Sequence, residues 1–225
     1  MKKLVKLLLG KLRNKLRRSV DPDIYVLSYP KSGRTWLRVL IGKYLSLKYN
    51  LPEDEILSTE FMSTSSGLPR VKFSHDGTGQ NIAKPYEQLS RDKQEYTDKK
   101  VILLGRDIKD TLVSGYFHAT KRKEWFEGTI SEFIRSAQFG VPKIIAFYDI
   151  WLHNRHVPKS FLFIRYEDLH QDPSGVLRKV LGFIGEVEVE ENRLDESIAY
   201  CSFNNLRKLE AENRFINGTL KRAQL

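Results

Sequence analysis

The stretch Tyr29-Pro30-Lys31-Ser32-Gly33-Arg34-Thr35-Trp36 gathers a lysine, two hydroxyl side chains and a glycine into one short run. Set between a strand and a helix, such a run binds an oxyanion. The first N–H groups of the helix have no partners of their own, and the positive end of the helix faces whatever they hold. Lys31 adds a full positive charge, and Ser32 and Thr35 add two donors. A second group follows further along: Arg106, then Ser114 eight residues later, then Tyr116 and His118. An arginine at a strand end offers a planar fork of donors that matches a phosphate. Ser114, about two helical turns on, approaches from the helix flank. The order of residues excludes a nucleoside-triphosphate P-loop, which needs Gly, four residues, then Gly-Lys-Ser/Thr. Here Lys31 precedes the glycine and no Gly-Lys pair follows.

The elements that must carry these groups are legible on either side. Ile24-Tyr25-Val26-Leu27 reads as a short buried strand and Leu37 to Leu45 as a helix. Asn50 to Pro69, rich in Ser and Thr, reads as a loop with one short helix at Pro52–Leu57. Val71-Lys72-Phe73-Ser74 alternates as a strand and delivers His75 at its end, and Asp76 to Lys84 reads as a mobile Gly-rich loop. Lys100 to Gly105 is a buried strand ending at Arg106, and Asp107-Ile108-Lys109-Asp110 opens a helix with acids in its first turn. Helices are expected at Ile130–Gln138 and Ile144–His153, separated by Gly140-Val141-Pro142, with Phe147, Tyr148 and Trp151 in the core. Phe161 to Leu169 reads as a strand and its exit, Asp172-Pro173 as the start of a helix through Ile184. Further helices follow, one from the acidic stretch Glu186–Glu196 to near Ser202 and one at Phe203–Glu210. Strand-then-helix alternation of this kind points to an α/β domain with a central parallel sheet and helices on both faces.

At 225 residues a single main domain is expected, residues 21–225, preceded by an arm at 1–20. Of the formal net charge of +10, the first 18 residues hold eight Lys or Arg and no acid, leaving about +2 for the rest. Leu4, Leu8, Leu12 and Leu16 form one stripe on a helix there. Two readings stay open: a cationic amphipathic helix on an anionic membrane surface, or an arm packed on the domain or left in solvent. Its apolar run is too short for a secretory signal or a membrane span. No aromatic residue interleaves the charges, which argues against nucleic acid. The single cysteine, Cys201, excludes an internal disulfide and fits a reducing, cytoplasmic compartment as a buried thiol. His75, His118, His153, His156 and His170 lack metal-ligand spacing, so no metal site is expected.

Pro-Lys-Ser-Gly-x-Thr-Trp resembles the 5′-phosphosulfate loop of the sulfotransferases that use 3′-phosphoadenosine 5′-phosphosulfate (PAPS). Arg106 to His118 resembles their Arg-x-Pro-x-Asp and Ser-x-Tyr-x-His segment. The resemblance runs from Tyr25 to Phe215 and implies a P-loop-like fold. It implies cofactor contacts from Lys31, Ser32, Gly33, Arg34, Thr35 and Trp36, with Arg106 and Ser114 on the 3′-phosphate and Tyr166 near the base. Arg34 stands where the family usually has a small residue or Asn, and Ile108 replaces a Pro. The implied reaction moves a sulfuryl group to a hydroxyl or amine of a small-molecule, carbohydrate or lipid acceptor, leaving adenosine 3′,5′-bisphosphate. Lys31 would compensate the charge on the leaving oxygen. His75, which follows Pro69-Arg70 at the family's spacing, would be the base. The family's helper Lys, two residues before the His, is Phe73 here. The family's C-terminal Arg-Lys-Gly-x-x-Gly loop has no match, Lys221-Arg222 lacking the glycines, so a shortened domain is expected. The rival reading is a nucleotide-binding module without transferase activity, tethered to a membrane by the basic arm.

Overall fold

The computed structural model describes residues 21–211. The basic arm, Lys221 and Arg222 lie outside the described residues. Four parallel strands form one sheet: β1 (Ile24–Ser28), β2 (Val71–Ser74), β3 (Lys100–Gly105) and β4 (Ser160–Arg165), in the order β2-β1-β3-β4. The apolar runs seen in the sequence are these strands; the central β1 and β3 are buried on both faces, while the edge strands β2 and β4 are buried only in part. Ile24 and Val26 of β1 with Ile102 and Leu104 of β3 face one core, and Leu27 with Val101 and Leu103 the other.

On the first face pack α1 (Arg34–Tyr49), α2 (Thr59–Ser65), α6 (Tyr166–Gln171), α7 (Pro173–Ile184), α8 (Glu191–Tyr200) and α9 (Phe203–Ala211). On the second lie α3 (Ile108–Phe117), α4 (Ile130–Arg135) and α5 (Val141–His153), whose Phe133, Phe147 and Trp151 fill that core. The expected α/β layering with helices on both faces is therefore present. Gly42 lets α1 approach closely, since a Cβ there would sit 2.0 Å from the Ile56 carbonyl oxygen.

Four local readings need correction. The Ser/Thr-rich stretch is not only a loop: Thr59–Ser65 is helical. The hydroxyls of Thr64 and Ser66 donate back to the Glu60 and Met62 carbonyls at 2.7 and 2.8 Å. The helix expected at Pro52–Leu57 is a single 3₁₀ turn, Glu53–Glu55. The segment after His75, read as mobile, is packed, with Thr78 and Gln80 buried. Pro142 does not separate one helix from the next but sits in the first turn of α5, where its missing N–H costs nothing.

Candidate active site

The chain turns from β1 to β2 on one side of the sheet and reaches β3 on the other. The carboxyl ends of β1 and β3 therefore flank a topological switch point, the place where open α/β sheets bind ligands. The loop 29–33 leaves β1 there and Arg106 leaves β3.

The loop takes up two left-handed residues, Lys31 at φ 70 and Gly33 at φ 88. Alternation of this kind turns successive N–H groups toward one point, the geometry of an anion nest. Lysine in this region is strained, and only a fixed surrounding keeps it there. Gly33 caps α1 without a side-chain bond, and the first turn of α1 holds no acid. Among the described residues the N–H groups of Gly33, Arg34 and Thr35 have no hydrogen-bond partner. A Cβ on Gly33 would lie 2.2 Å from the Tyr166 ring, so only glycine fits. Trp36 is anchored away from the loop mouth, its Nε1 donating to the Cys201 carbonyl at 3.0 Å. Cys201 is buried as expected, and burial pushes its thiol well above the ordinary range.

The two phosphate-type motifs meet. Arg106 Nη1 donates to the Lys31 carbonyl at 2.9 Å, and the guanidinium lies 4.3 Å over the Tyr166 ring. Tyr166 thus packs between Gly33 and Arg106 and fixes the fork from below; it opens α6 rather than continuing the strand. Arg106 Nη2 reaches Asp110 only at 3.8 Å, and its buried Nε has no partner among the described residues. Donor capacity is left for an oxyanion. Tyr148 ties the motifs further, accepting from the Arg106 N–H at 3.3 Å and contacting Ser32 Oγ at 3.5 Å. Glu167 accepts from the Asp107 N–H at 2.8 Å, a capping role beside the site. Ser114 lies along α3, partly buried, with no side-chain hydrogen bond among the described residues. Among the described residues no hydrogen bond joins it to Arg106.

His75 directly follows β2, beside the end of β1 from which the loop leaves. A carbonyl can only accept, so the 2.8 Å contact to Ser28 O makes Nδ1 the protonated nitrogen and leaves the Nε2 lone pair free. Burial, then the Arg34 charge, with Arg38 and Lys31 adding, pulls the imidazole pKa down to about 3, and it is neutral near pH 7. The next residue, Asp76, adopts φ 46 and is held on three sides. Its carboxylate accepts from Lys93 Nζ at 2.7 Å, Trp151 Nε1 at 2.8 Å and Tyr96 OH at 3.0 Å.

A second imidazole flanks Lys31. Gln80 Nε2 donates to the Gly115 carbonyl, which turns Gln80 Oε1 to His118 Nδ1 at 2.9 Å. His118 Nδ1 is then the donor and Nε2 again carries a lone pair. Burial, then Lys31, Arg122 and Lys123, lowers this pKa to about 4. Sequence reasoning named His118 only as one member of a motif, and missed Asp76, Gln80 and Tyr148. Their roles rest on contacts distant in sequence.

A family model described as the sulfotransferase domain matches residues 21–219. The chain belongs to the sulfotransferase family. It is 30% identical over 216 residues to cytosolic sulfotransferase 3 of Arabidopsis thaliana, covering 88% of this chain and 66% of that protein. To sulfotransferase 4A1 of Mus musculus it is 29% identical over 196 residues, covering 80% and 65%. The chain thus spans just under two thirds of the length of these relatives. Mouse sulfotransferase SULT7A1, solved in complex with PAP, has a similar fold, with a TM-score of 0.57 at 20% identity over 84% of this chain and 67% of that one. Retinol dehydratase, solved with retinol and PAP, matches with a TM-score of 0.57 at 18% identity over 88% and 71%. At these identities the two structures speak for the fold alone. Among the described residues no cluster of His, Cys, Asp and Glu could hold a metal ion. None of their helices is long and apolar enough to cross a membrane.

Proposed function

We propose that this chain transfers a sulfuryl group from PAPS to a hydroxyl or amine of a small-molecule acceptor. The observation that carries the reading is the 2.9 Å contact from Arg106 to the Lys31 carbonyl, which joins two anion-binding elements at the switch point. The residues fit the donor on two counts: the unpartnered N–H groups of the loop and the orphaned Arg106 Nε.

The loop N–H groups, Ser32 and Thr35 would hold the 5′-phosphosulfate, and Trp36, anchored to the Cys201 carbonyl, would brace the turn behind them. Arg106, seated on Tyr166, and Ser114 from its flank would hold the 3′-phosphate. When bound, PAPS supplies an activated sulfuryl group whose sulfur–oxygen bond to the phosphate breaks as the new bond to the acceptor oxygen forms. Lys31 and the positive end of α1 offset the negative charge that grows on the departing oxygen. His75 Nε2 takes the proton that the attacking hydroxyl loses, and the Ser28 carbonyl, holding Nδ1–H, keeps the ring in the tautomer for that task. In-line placement of acceptor and donor between His75 and Lys31 supplies the rest, since such transfers depend mostly on positioning and charge compensation.

Relatives named as cytosolic sulfotransferases and as flavonol sulfotransferases support a cytoplasmic location and a small-molecule acceptor. Carbohydrate and lipid acceptors, and membrane contact through residues 1–18, remain further proposals for the same screen. Calorimetry with adenosine 3′,5′-bisphosphate against ATP, followed by transfer from labelled PAPS into phenol, carbohydrate and lipid pools, tests the reading. Preference for the bisphosphate together with labelled product supports it. Binding without transfer to any acceptor would favour a nucleotide-binding module.

A further inference from the structure

Two arginines beside His75 have no counter-charge bound to them in the fold. Arg34 and Arg38 stand one helical turn apart on α1 and share a face. Both are partly buried, and the Nε of Arg38 is fully so. Among the described residues neither guanidinium forms a hydrogen bond or ion pair, and the Nε of Arg38 is buried without a partner. Arg38 lies 4.7 Å over the Phe73 ring. The acid whose charge acts on it, Glu60, pairs with Arg70 at 3.6 Å. Burial lowers the pKa of both groups, that of Arg34 to about 10, and the charge of Arg38 adds to the lowering at Arg34.

The position of the pair separates it from the nucleotide elements. Phe73 and His75 are two residues apart along β2 and its exit, and so lie on one side of that strand. β2 neighbours β1 on the edge opposite to β3, whose end carries Arg106. Of the charges that depress the His75 imidazole, Arg34 is the largest and Arg38 exceeds Lys31. Two like charges held together with only partial access to water repel, and neither guanidinium has a hydrogen bond among the described residues to offset its partial burial. An anionic group entering beside His75 relieves both costs, and a carboxylate matches the guanidinium fork.

We propose that Arg34 and Arg38 form an anion subsite beside His75, and that the acceptor carries a carboxylate in addition to the group that receives the sulfuryl. The inference rests on the transferase reading above and narrows it to anionic acceptors. It also gives a physical role to the residue at which this chain departs from the usual loop, since the backbone of Arg34 serves the loop while its side chain serves the acceptor.

The test compares 4-hydroxyphenylacetate with 4-ethylphenol, which differ in charge but hardly in shape. With saturating PAPS, kcat/KM should favour the carboxylate by about tenfold or more, the scale of a charge-assisted pair. Arg38→Gln should lower that ratio about tenfold, mainly through KM. Calorimetry of the two phenols on the bisphosphate-bound wild type gives the same ranking without turnover, and stands even if Arg38→Gln does not fold. Equal use of the two phenols, a preference for 4-ethylphenol, or equal losses on both in Arg38→Gln would overturn the subsite. Failure to bind adenosine 3′,5′-bisphosphate would instead strike the transferase reading. Tight bisphosphate binding with an uncharged acceptor preferred would strike the subsite alone.

Discussion

Replacing Asp76 with Asn should unsettle the fold at the base of the site through charge alone. Asn tolerates the left-handed backbone at this position, so the φ of 46 is not the issue. What changes is the environment of Lys93, whose side chain is only 3% exposed and whose ion pair with Asp76 measures 2.7 Å. Removing one partner of a buried pair leaves an uncompensated charge and costs about 3–5 kcal/mol. For a domain of this size each kcal/mol lowers the midpoint by about 2–4 °C, so thermal unfolding should drop by roughly 6–20 °C. The double variant Asp76→Asn/Lys93→Met removes both charges and should recover most of the loss, a coupling of at least about 2 kcal/mol. Because Asp76 directly follows His75, the surviving folded fraction of Asp76→Asn should turn over more slowly while bisphosphate affinity holds. Circular dichroism melts and urea titrations of the four proteins in the cycle decide it. A single variant within about 1 kcal/mol of wild type, or a double variant that merely adds a second loss, would refute the cage.

Arg106→Ala should weaken adenosine 3′,5′-bisphosphate binding by about 1.5–3 kcal/mol, roughly 10- to 150-fold, and erase preference over the nucleotide without the 3′-phosphate; calorimetry with the pair reads this. The His75 ring should stay neutral in the nucleotide-free protein down to about pH 3, as followed by the histidine ring signals in NMR. Its folded pKa lies below the ordinary 6.5, so the folded state holds fewer protons than the unfolded one between those values. The resulting stabilisation is complete above pH 6.5 and is lost as pH falls toward 3; bound bisphosphate, by offsetting Lys31 and Arg34, should move the titration upward. Lys143, fully buried with no partner for its Nζ among the described residues, has its pKa lowered to about 8 by burial and by Lys84. Lys143→Met should therefore stabilise the fold at pH 7 by on the order of 3 kcal/mol. That gain should shrink between pH 8 and about 10.5, where the wild type sheds the proton; parallel melts across this range check it.

Much of the candidate site was legible because its residues are local in sequence. Lys31, Ser32 and Gly33 sit in one loop with Thr35 in the first helical turn after it, and the buried runs on either side name their strand and helix without tertiary information. Arg106 was legible for the same reason, at the end of the most apolar strand. The conformation that makes the loop an anion nest was not, because nothing in the residue type marks Lys31 as left-handed. Helix Thr59–Ser65 was missed because Ser and Thr bond to the backbone in turns as readily as in helices, and the burial of Met62 and Ser63 tips the balance. Gln80 and Tyr148 each join segments far apart in the chain, 35 residues for Gln80 to Gly115 and 116 for Ser32 to Tyr148, and no spacing rule reaches that far. Arg38 left a signal that went unread: a second arginine one turn after Arg34 on an otherwise apolar helix.

The most direct measurement of the central claim is single-turnover transfer of labelled sulfate from PAPS, with wild type, Lys31→Ala and His75→Ala side by side and bisphosphate affinity measured on each. Wild type should form sulfated product from at least one phenolic acceptor. His75→Ala should bind the bisphosphate like wild type but transfer about 10²–10⁴-fold more slowly. Lys31→Ala should lose both binding and transfer. A His75→Ala protein within tenfold of wild type, or a wild type that binds the bisphosphate no better than ATP, would contradict the account.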